Sequence, residues 1–469
     1  MSFPLDSLAP AAQAVGAHRA YDTDDDGLAD FFTFTDHVGV ASMLAYDTTG
    51  NGTPDVLLDT AAIPFGRCRH LVIVLDGFSY DLVKCWYDAG HLRMFHRPSR
   101  VVAPYPTLTD LCLGDALGDM PSPGFEALYF DRKANDLVGG NWAYLAGDNS
   151  PYYRLLHYRA PLIWDAVGYL APWSVFKAEI DAVKDCFDDE PTQEVLAYIV
   201  SSAGVGTRYG ADGQRKCLRR VEQLVNEVVW QSRGLTKVTL LADHGHSYTP
   251  AERIDLEGHL EDRGWRLRDS LDDGKTAVYV RFGLETYASF ATRRPQALAT
   301  DLAAAEGVEL ASYARGRTVI VLAPGGARAV ISRKGSTYSY RPTSGDPLKL
   351  APILADVPAD ADGFRDADAL LAATATHEYP APLQRLWRGH VALAENTPDV
   401  IVSLADRYFS GSRTLAAFVD VASTHGSLNY SNSVTFIMST TGALPAVMRS
   451  SEIPEKMQAL TGAPFPSRR

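Results

Sequence analysis

From His70 onward the chain alternates short apolar runs with polar loops and helix-compatible stretches. Leu71–Leu75, Val195–Val200, Val238–Ala242, Thr318–Leu322, Val400–Leu404 and Val434–Met438 are strand-sized and rich in β-branched residues or leucine. Continuous apolar runs of this length suit strands buried on both faces. Stretches such as Arg215–Gln231 between them are compatible with helices. The alternation predicts an α/β fold with a mainly parallel sheet sandwiched by helices. Residues 251–390 are richer in turn signals, among them Gly325-Gly326, Arg341-Pro342 and Gly345-Asp346-Pro347. They predict an inserted α+β cap, which leaves 66–250 and 391–469 as the core.

Residues 1–65 follow a different pattern. Tyr21-Asp22-Thr23-Asp24-Asp25-Asp26-Gly27-Leu28-Ala29-Asp30 is repeated 25 positions later as Tyr46-Asp47-Thr48-Thr49-Gly50-Asn51-Gly52-Thr53-Pro54-Asp55. Oxygen-bearing side chains fall at loop positions 1, 3, 5 and 9, with glycine at 6, as in calcium loops of the EF-hand type. Asp22, Asp24, Asp26 and Asp30, and Asp47, Asn51 and Asp55, are therefore candidate Ca2+ ligands. Position 12 is Thr33 or Leu58, so neither loop has the bidentate glutamate. The competing reading is a pair of Asp/Asn/Gly turns between short strands.

Composition narrows the function. With 44 basic and 57 acidic residues the net charge is −13, which disfavours a nucleic-acid polymer or an anionic membrane as partner. A small phosphorylated substrate remains compatible, because a bound cation dominates its local field. No apolar run reaches the roughly 18 residues of a membrane span. The five cysteines, odd in number and scattered, read as free thiols. Met1–Ala20 lacks the basic start and apolar core of a signal peptide, which predicts a cytoplasmic protein as the sequence stands; a trimmed N-terminus would reverse that to export. Oligomeric state is left open.

In an α/β sheet the chemistry gathers beyond the carboxyl ends of the strands. Asp76-Gly77 follows Leu71–Leu75, Asp243-His244-Gly245 follows Val238–Ala242, and His425-Gly426 precedes Val434–Met438. Such an O/N set suits Zn2+ first and Mn2+ second. Each residue also has an ordinary structural reading: Asp76 as a helix N-cap, His244 or His425 as a satisfied buried histidine, Thr107 and Thr109 as turn hydroxyls.

Taken in order, these segments resemble the alkaline phosphatase superfamily and, within it, the type I phosphodiesterase/nucleotide pyrophosphatase branch. Leu75-Asp76-Gly77-Phe78 is similar to that branch's first metal-binding aspartate. Ala103-Pro104-Tyr105-Pro106-Thr107-Leu108-Thr109 is similar to its nucleophile loop, which implies Thr109 as nucleophile. Leu241-Ala242-Asp243-His244-Gly245-His246 resembles its Asp-His-Gly metal motif, and Ser423-Thr424-His425-Gly426-Ser427 its late metal histidine. The resemblance implies Asp76, Thr109, Asp243 and His244 around one metal and His425 on a second. It also implies an aspartate and a histidine for the second metal. Ala203 and Thr207 stand in those places, and Cys112 replaces an asparagine of the nucleophile loop.

The implied function is metal-dependent phosphoryl transfer on a phosphate mono- or diester: a threonine nucleophile, one complete metal site, and His425 acting on the substrate or leaving group. His246 is a weaker candidate for that last task. A degenerate relative that binds a phosphorylated ligand without turnover is the alternative, with a sulfatase-like hydrolase behind it. The acids Asp181, Asp185, Asp188, Asp189 and Glu190 could supply replacement ligands, or form a solvated face. Arg208 and Lys177 could meet a substrate anion, with plain surface charge as the default.

Overall fold

Arg69–Leu75, Glu194–Ile199 and Thr236–Ala242 lie side by side and parallel, with Leu75 in register with both Ile199 and Ala242. Their carboxyl ends are therefore flush, which sets Asp76 and Asp243 at one level. The structure, a computed structural model, describes residues 17–140, 150–161, 171–417 and 419–467. Most of the N-terminal stretch assessed for a signal peptide lies outside them. The seven-stranded sheet runs Val447–Arg449, Ser99–Val102, Val434–Ser439, Thr236–Ala242, Arg69–Leu75, Glu194–Ile199, Tyr158–Arg159. Val434–Ser439 is antiparallel to both its neighbours; the other pairings are parallel.

Alternate side chains of these strands point to opposite faces. Ile73, Leu75, Val238 and Leu240 pack with Phe176, Val183, Val221 and Leu224 of the helices Pro172–Asp189 and Ser201–Gln231. Val72, Val74 and Leu241 pack with Leu113 and Ala116 of Thr109–Ala116 and with Met457 of Ile453–Thr461. Helices thus cover both faces, as the apolar pattern required.

Two predicted strands belong elsewhere. Thr318–Ala323 and Val400–Leu404 are part of a separate nine-stranded, largely antiparallel sheet. Both are buried runs, and burial on both faces does not reveal which sheet supplies the partners. The second sheet therefore takes in a strand beyond residue 391. It touches the core through the chain just before Tyr287–Thr292: Thr286 N–H donates to His425 O at 2.6 Å.

The N-terminal segment forms a four-stranded antiparallel meander, Arg19–Tyr21, Phe31–Thr35, Ala41–Tyr46 and Val56–Asp59. Tyr21, Phe31 and Tyr46 belong to the same apolar cluster as the main sheet. Asn226 donates to the Tyr21 hydroxyl at 3.2 Å, and Tyr46 donates to Trp230 O at 3.3 Å. No disulfide joins any of the five cysteines. Among the described residues no helix is long and apolar enough to cross a membrane.

Candidate active site

Asp243 is held from one side. Its Oδ1 accepts from Gly77 N–H at 2.9 Å and from its neighbour His244 N–H at 2.8 Å. The opposite oxygen, Oδ2, has no hydrogen-bond partner although the residue is 1% exposed, and it lies 3.2 Å from His244 Nε2. Asp76 is oriented by the Tyr198 hydroxyl, which donates to Oδ2 at 2.6 Å; its Oδ1 is 3.5 Å from the same His244 nitrogen. Thr109 Oγ1 stands 3.4 Å from that nitrogen. One ligand atom from each of Asp76, Asp243 and His244 falls within 4.8 Å of the others.

This cluster passes a chemical test for a divalent cation. A buried carboxylate oxygen without a donor is costly unless a cation completes it. His244 Nδ1 sits 2.9 Å from Gly245 O, so Nδ1 carries the proton and Nε2 keeps its lone pair, the usual state of a ligating histidine. Burial raises the Asp243 carboxyl above the ordinary range and pulls His244 down to about 4. Both shifts favour uncharged groups, which an added positive charge would reverse at the aspartate.

Local sequence explains the placement. Gly77 has φ +69°, a left-handed turn that lets its N–H reach Asp243. Gly245 runs so close to the backbone of residues 431–434 that a Cβ would sit 2.2 Å from Ser431 O. Thr109 opens the helix Thr109–Ala116, whose first N–H groups favour an anion nearby.

His425 is joined to the nucleophile loop by Thr107. Its Nδ1 meets Thr107 O at 2.9 Å; Gly426 N–H donates to Thr107 Oγ1 at 2.9 Å, and Thr107 N–H to Gly426 O at 3.2 Å. The His425 ring stacks on His244 with centroids 3.9 Å apart. Burial and the adjacent His244 hold its pKa well below the usual histidine value. A neutral imidazole with Nδ1–H engaged presents a lone pair at Nε2. That suits a ligand or acceptor better than a proton donor.

The segment aligned with the second-metal residues is helical. Ser202 Oγ donates to Asp76 O at 2.8 Å, so Ser201–Gln231 begins against the cluster, and Ala203 and Thr207 are buried one turn apart. The helix breaks its regular geometry at Gly210. Of the acids near residue 185, Asp181 pairs with Arg220 and Asp188 with Lys184. Cys112 is buried behind the nucleophile.

Sequence reasoning missed the residues that hold this frame. Tyr198 and Ser202 orient Asp76, and Ser423 bonds both His246 Nδ1 and Tyr248 N–H. Arg385, 4% exposed, donates to Pro104 O, Pro380 O, Leu428 O and Ser433 Oγ. Tyr198 and Ser202 flank the end of a recognised strand, which was the available signal. Arg385 gave none.

The two N-terminal loops are turns between antiparallel strands and share one design. Asp22 accepts from Asp25 and Gly27 N–H, and Asp47 from Thr49, Gly50 and Gly52 N–H. Asp30 and Asp55 accept from Thr23 and Thr48. Only the first loop brings three acids, Asp22, Asp24 and Asp30, within 4.8 Å among the described residues. In the second, Thr49 stands at position 3 and bonds Asp47; Asp26 and Asn51 each cap a nearby N–H.

No family model matches the chain, and no curated protein matches it. Among solved structures it is similar to murine ectonucleotide pyrophosphatase/phosphodiesterase 5, at 9% identity and TM-score 0.45, covering 86% of this chain and 97% of that one. The human counterpart gives 10% identity and TM-score 0.46, covering 86% and 96%. An inactive variant of the murine protein in complex with AMP gives 10% and 0.45. At such values the likeness carries no functional argument, and the reading below stands on the cluster itself.

Proposed function

We propose that the protein is a metal-dependent phosphoryl-transfer enzyme acting on a phosphate mono- or diester. The observation that carries this is the convergence of Asp243 Oδ2, Asp76 Oδ1, His244 Nε2 and Thr109 Oγ1 at the flush ends of the central strands. Asp76, Asp243 and His244 would hold the ion, with Zn2+ favoured by the mixed O/N donors and Mn2+ next. When bound, a divalent cation there supplies Lewis acidity, lowering the pKa of the threonine hydroxyl and offsetting phosphoryl charge. Thr109 Oγ1 gives up its hydroxyl proton and forms a bond to phosphorus, as the ester oxygen leaves with its electron pair and takes up a proton. Water or an acceptor alcohol then attacks the same phosphorus and frees Thr109. Thr107 and Arg385 hold the loop that aims Thr109, and Tyr198 and Ser202 hold Asp76.

The test pairs zinc analysis with turnover of nitrophenyl phosphate and bis(nitrophenyl) phosphate. Thr109→Ala should fold normally, keep its zinc, and lose at least about 10³ in kcat. Asp243→Asn and His244→Ala should lose zinc and rate together. Full zinc occupancy in those two variants would place the ion elsewhere. The competing reading, ligand binding without turnover, draws on Ala203 and Thr207, which leave the helix beside the cluster with no acid or imidazole at those positions. It predicts an inactive wild type that still binds phosphate esters.

For the N-terminal loops we propose Ca2+ at Asp22, Asp24 and Asp30 alone. Calcium should raise the melting temperature of the wild type and leave that of Asp24→Ala unchanged.

A further inference from the structure

His246 is 0% exposed, and its Nε2 has no hydrogen-bond partner. The ring is anchored at the other nitrogen, where Nδ1 meets Ser423 Oγ. Ser423 Oγ also accepts from Tyr248 N–H at 2.7 Å, and a hydroxyl oxygen has two lone pairs, enough to accept both. In the tautomer with the proton on Nδ1, donated to Ser423 Oγ, His246 keeps an inward lone pair at Nε2 that no protein group uses. Buried polar atoms in this condition are few and point to something that completes them.

The surroundings say where that lone pair lies. A Cβ at Gly206 would be 3.4 Å from His246 Nε2, and a Cβ at Gly77 would be 2.8 Å from Cδ2 of the same ring. The imidazole therefore fills the gap between the Asp76-Gly77 turn and the helix carrying Ala203 and Thr207. It occupies space that side chains of that helix leave open. On its other side stands His425, its Nδ1 bound to Thr107 O in the same anchored manner.

We propose that His246 and His425 form a two-histidine cation site beside the Asp76–Asp243–His244 cluster, completed by the phosphate oxygens of the substrate. Two imidazoles sharing one tetrahedral zinc, with Zn–N about 2.0–2.1 Å, place their ring centroids roughly 5 Å apart. His246 and His425 are 5.7 Å apart and inclined at 53°. His244 and His425 are stacked at 3.9 Å and 21°, a face-to-face arrangement whose nitrogens do not converge on one ion. His425 thus pairs with His246 rather than with His244. Two neutral nitrogens bind zinc weakly, so the second ion arrives with the anion. This rests on reading the cluster as a metal-dependent phosphoryl-transfer site. It adds a ligand from the strand-end loop, His246, where the sequence comparison left only His425.

The experiment counts zinc in the full-length protein, with millimolar calcium present to cover the Asp22–Asp30 loop and with or without inorganic phosphate. Wild type should hold one zinc per chain alone and two with phosphate. A zinc-edge anomalous map with phosphate should place the second ion between the rings of His246 and His425. His246→Ala should hold one ion in both conditions. His246→Gln, close in size, should do the same and decides the matter if the alanine variant fails to fold. A wild type that stays at one zinc with phosphate, or a His246→Gln variant that still takes up two, overturns the proposal and leaves the first metal site standing. A wild type with no zinc in either condition overturns both.

Discussion

Thr107 ties the nucleophile loop to the loop that carries His425. Its side chain, carbonyl and N–H all engage Gly426 or His425. Thr107→Ala leaves the buried Gly426 N–H without an acceptor, a cost of about 1–3 kcal/mol. A urea titration should show that loss, and kcat should fall with zinc content unchanged. Asp76, Asp243 and His244 were legible because strand ends concentrate ligands and acid–imidazole pairs are rare there. His246 was visible as a histidine, but its orphaned nitrogen depends on Ser423, Gly77 and Gly206, three residues far apart in the chain. No local pattern reports such a meeting.

Helix Pro382–Val391 governs the two loops that face each other across the site. Arg385 extends from it to Pro104 O in the nucleophile loop and to Leu428 O in the His425 loop, and its described partners are all uncharged. Burial pulls this guanidinium down to about 9. Arg385→Lys keeps the charge but cannot span these acceptors with one ammonium. It should lower stability by about 1–3 kcal/mol and kcat by 10- to 10²-fold, as small misplacements of reacting groups do. Zinc content should hold, which separates misaimed loops from a lost metal site. Central strands such as Arg69–Leu75 were legible because burial on both faces makes them continuous apolar runs. Ser99–Val102 and Tyr158–Arg159 are short and partly polar, so no run marked them. Ala327–Lys334 and Thr337–Ser344 are half-exposed, and their alternation is broken by arginine, lysine and proline.

Across the whole molecule, three glutamates are held above the ordinary carboxylate range. Burial raises both Glu285 and Glu126; Glu126 raises Glu285 further and Asp110 raises Glu126, while Tyr287, donating to Glu126 at 2.8 Å, pulls that carboxyl back down. Burial also pushes Glu309 up to about 7. Between the ordinary glutamate pKa of about 4.3 and neutrality, these glutamates bind more protons in the folded chain than in the unfolded one. Their contribution to stability falls as pH rises through that window. Glu126→Gln should raise the urea midpoint at pH 8 more than at pH 5; an equal change at both would refute the protonated pair. The antiparallel strand Val434–Ser439, lodged between Thr236–Ala242 and Ser99–Val102, has a consequence in time. On the ribosome, Arg69–Leu75, Glu194–Ile199 and Thr236–Ala242 can pair as they emerge. Ser99–Val102, made early, has neither sheet neighbour until synthesis passes residue 434. Counted from the completion of Thr236–Ala242, at about 5–20 residues per second that wait lasts on the order of 10–40 s. For that interval an apolar sheet edge stands open beside a cluster that still lacks His425, so nascent chains stalled before residue 434 should be the ones that chaperones retain.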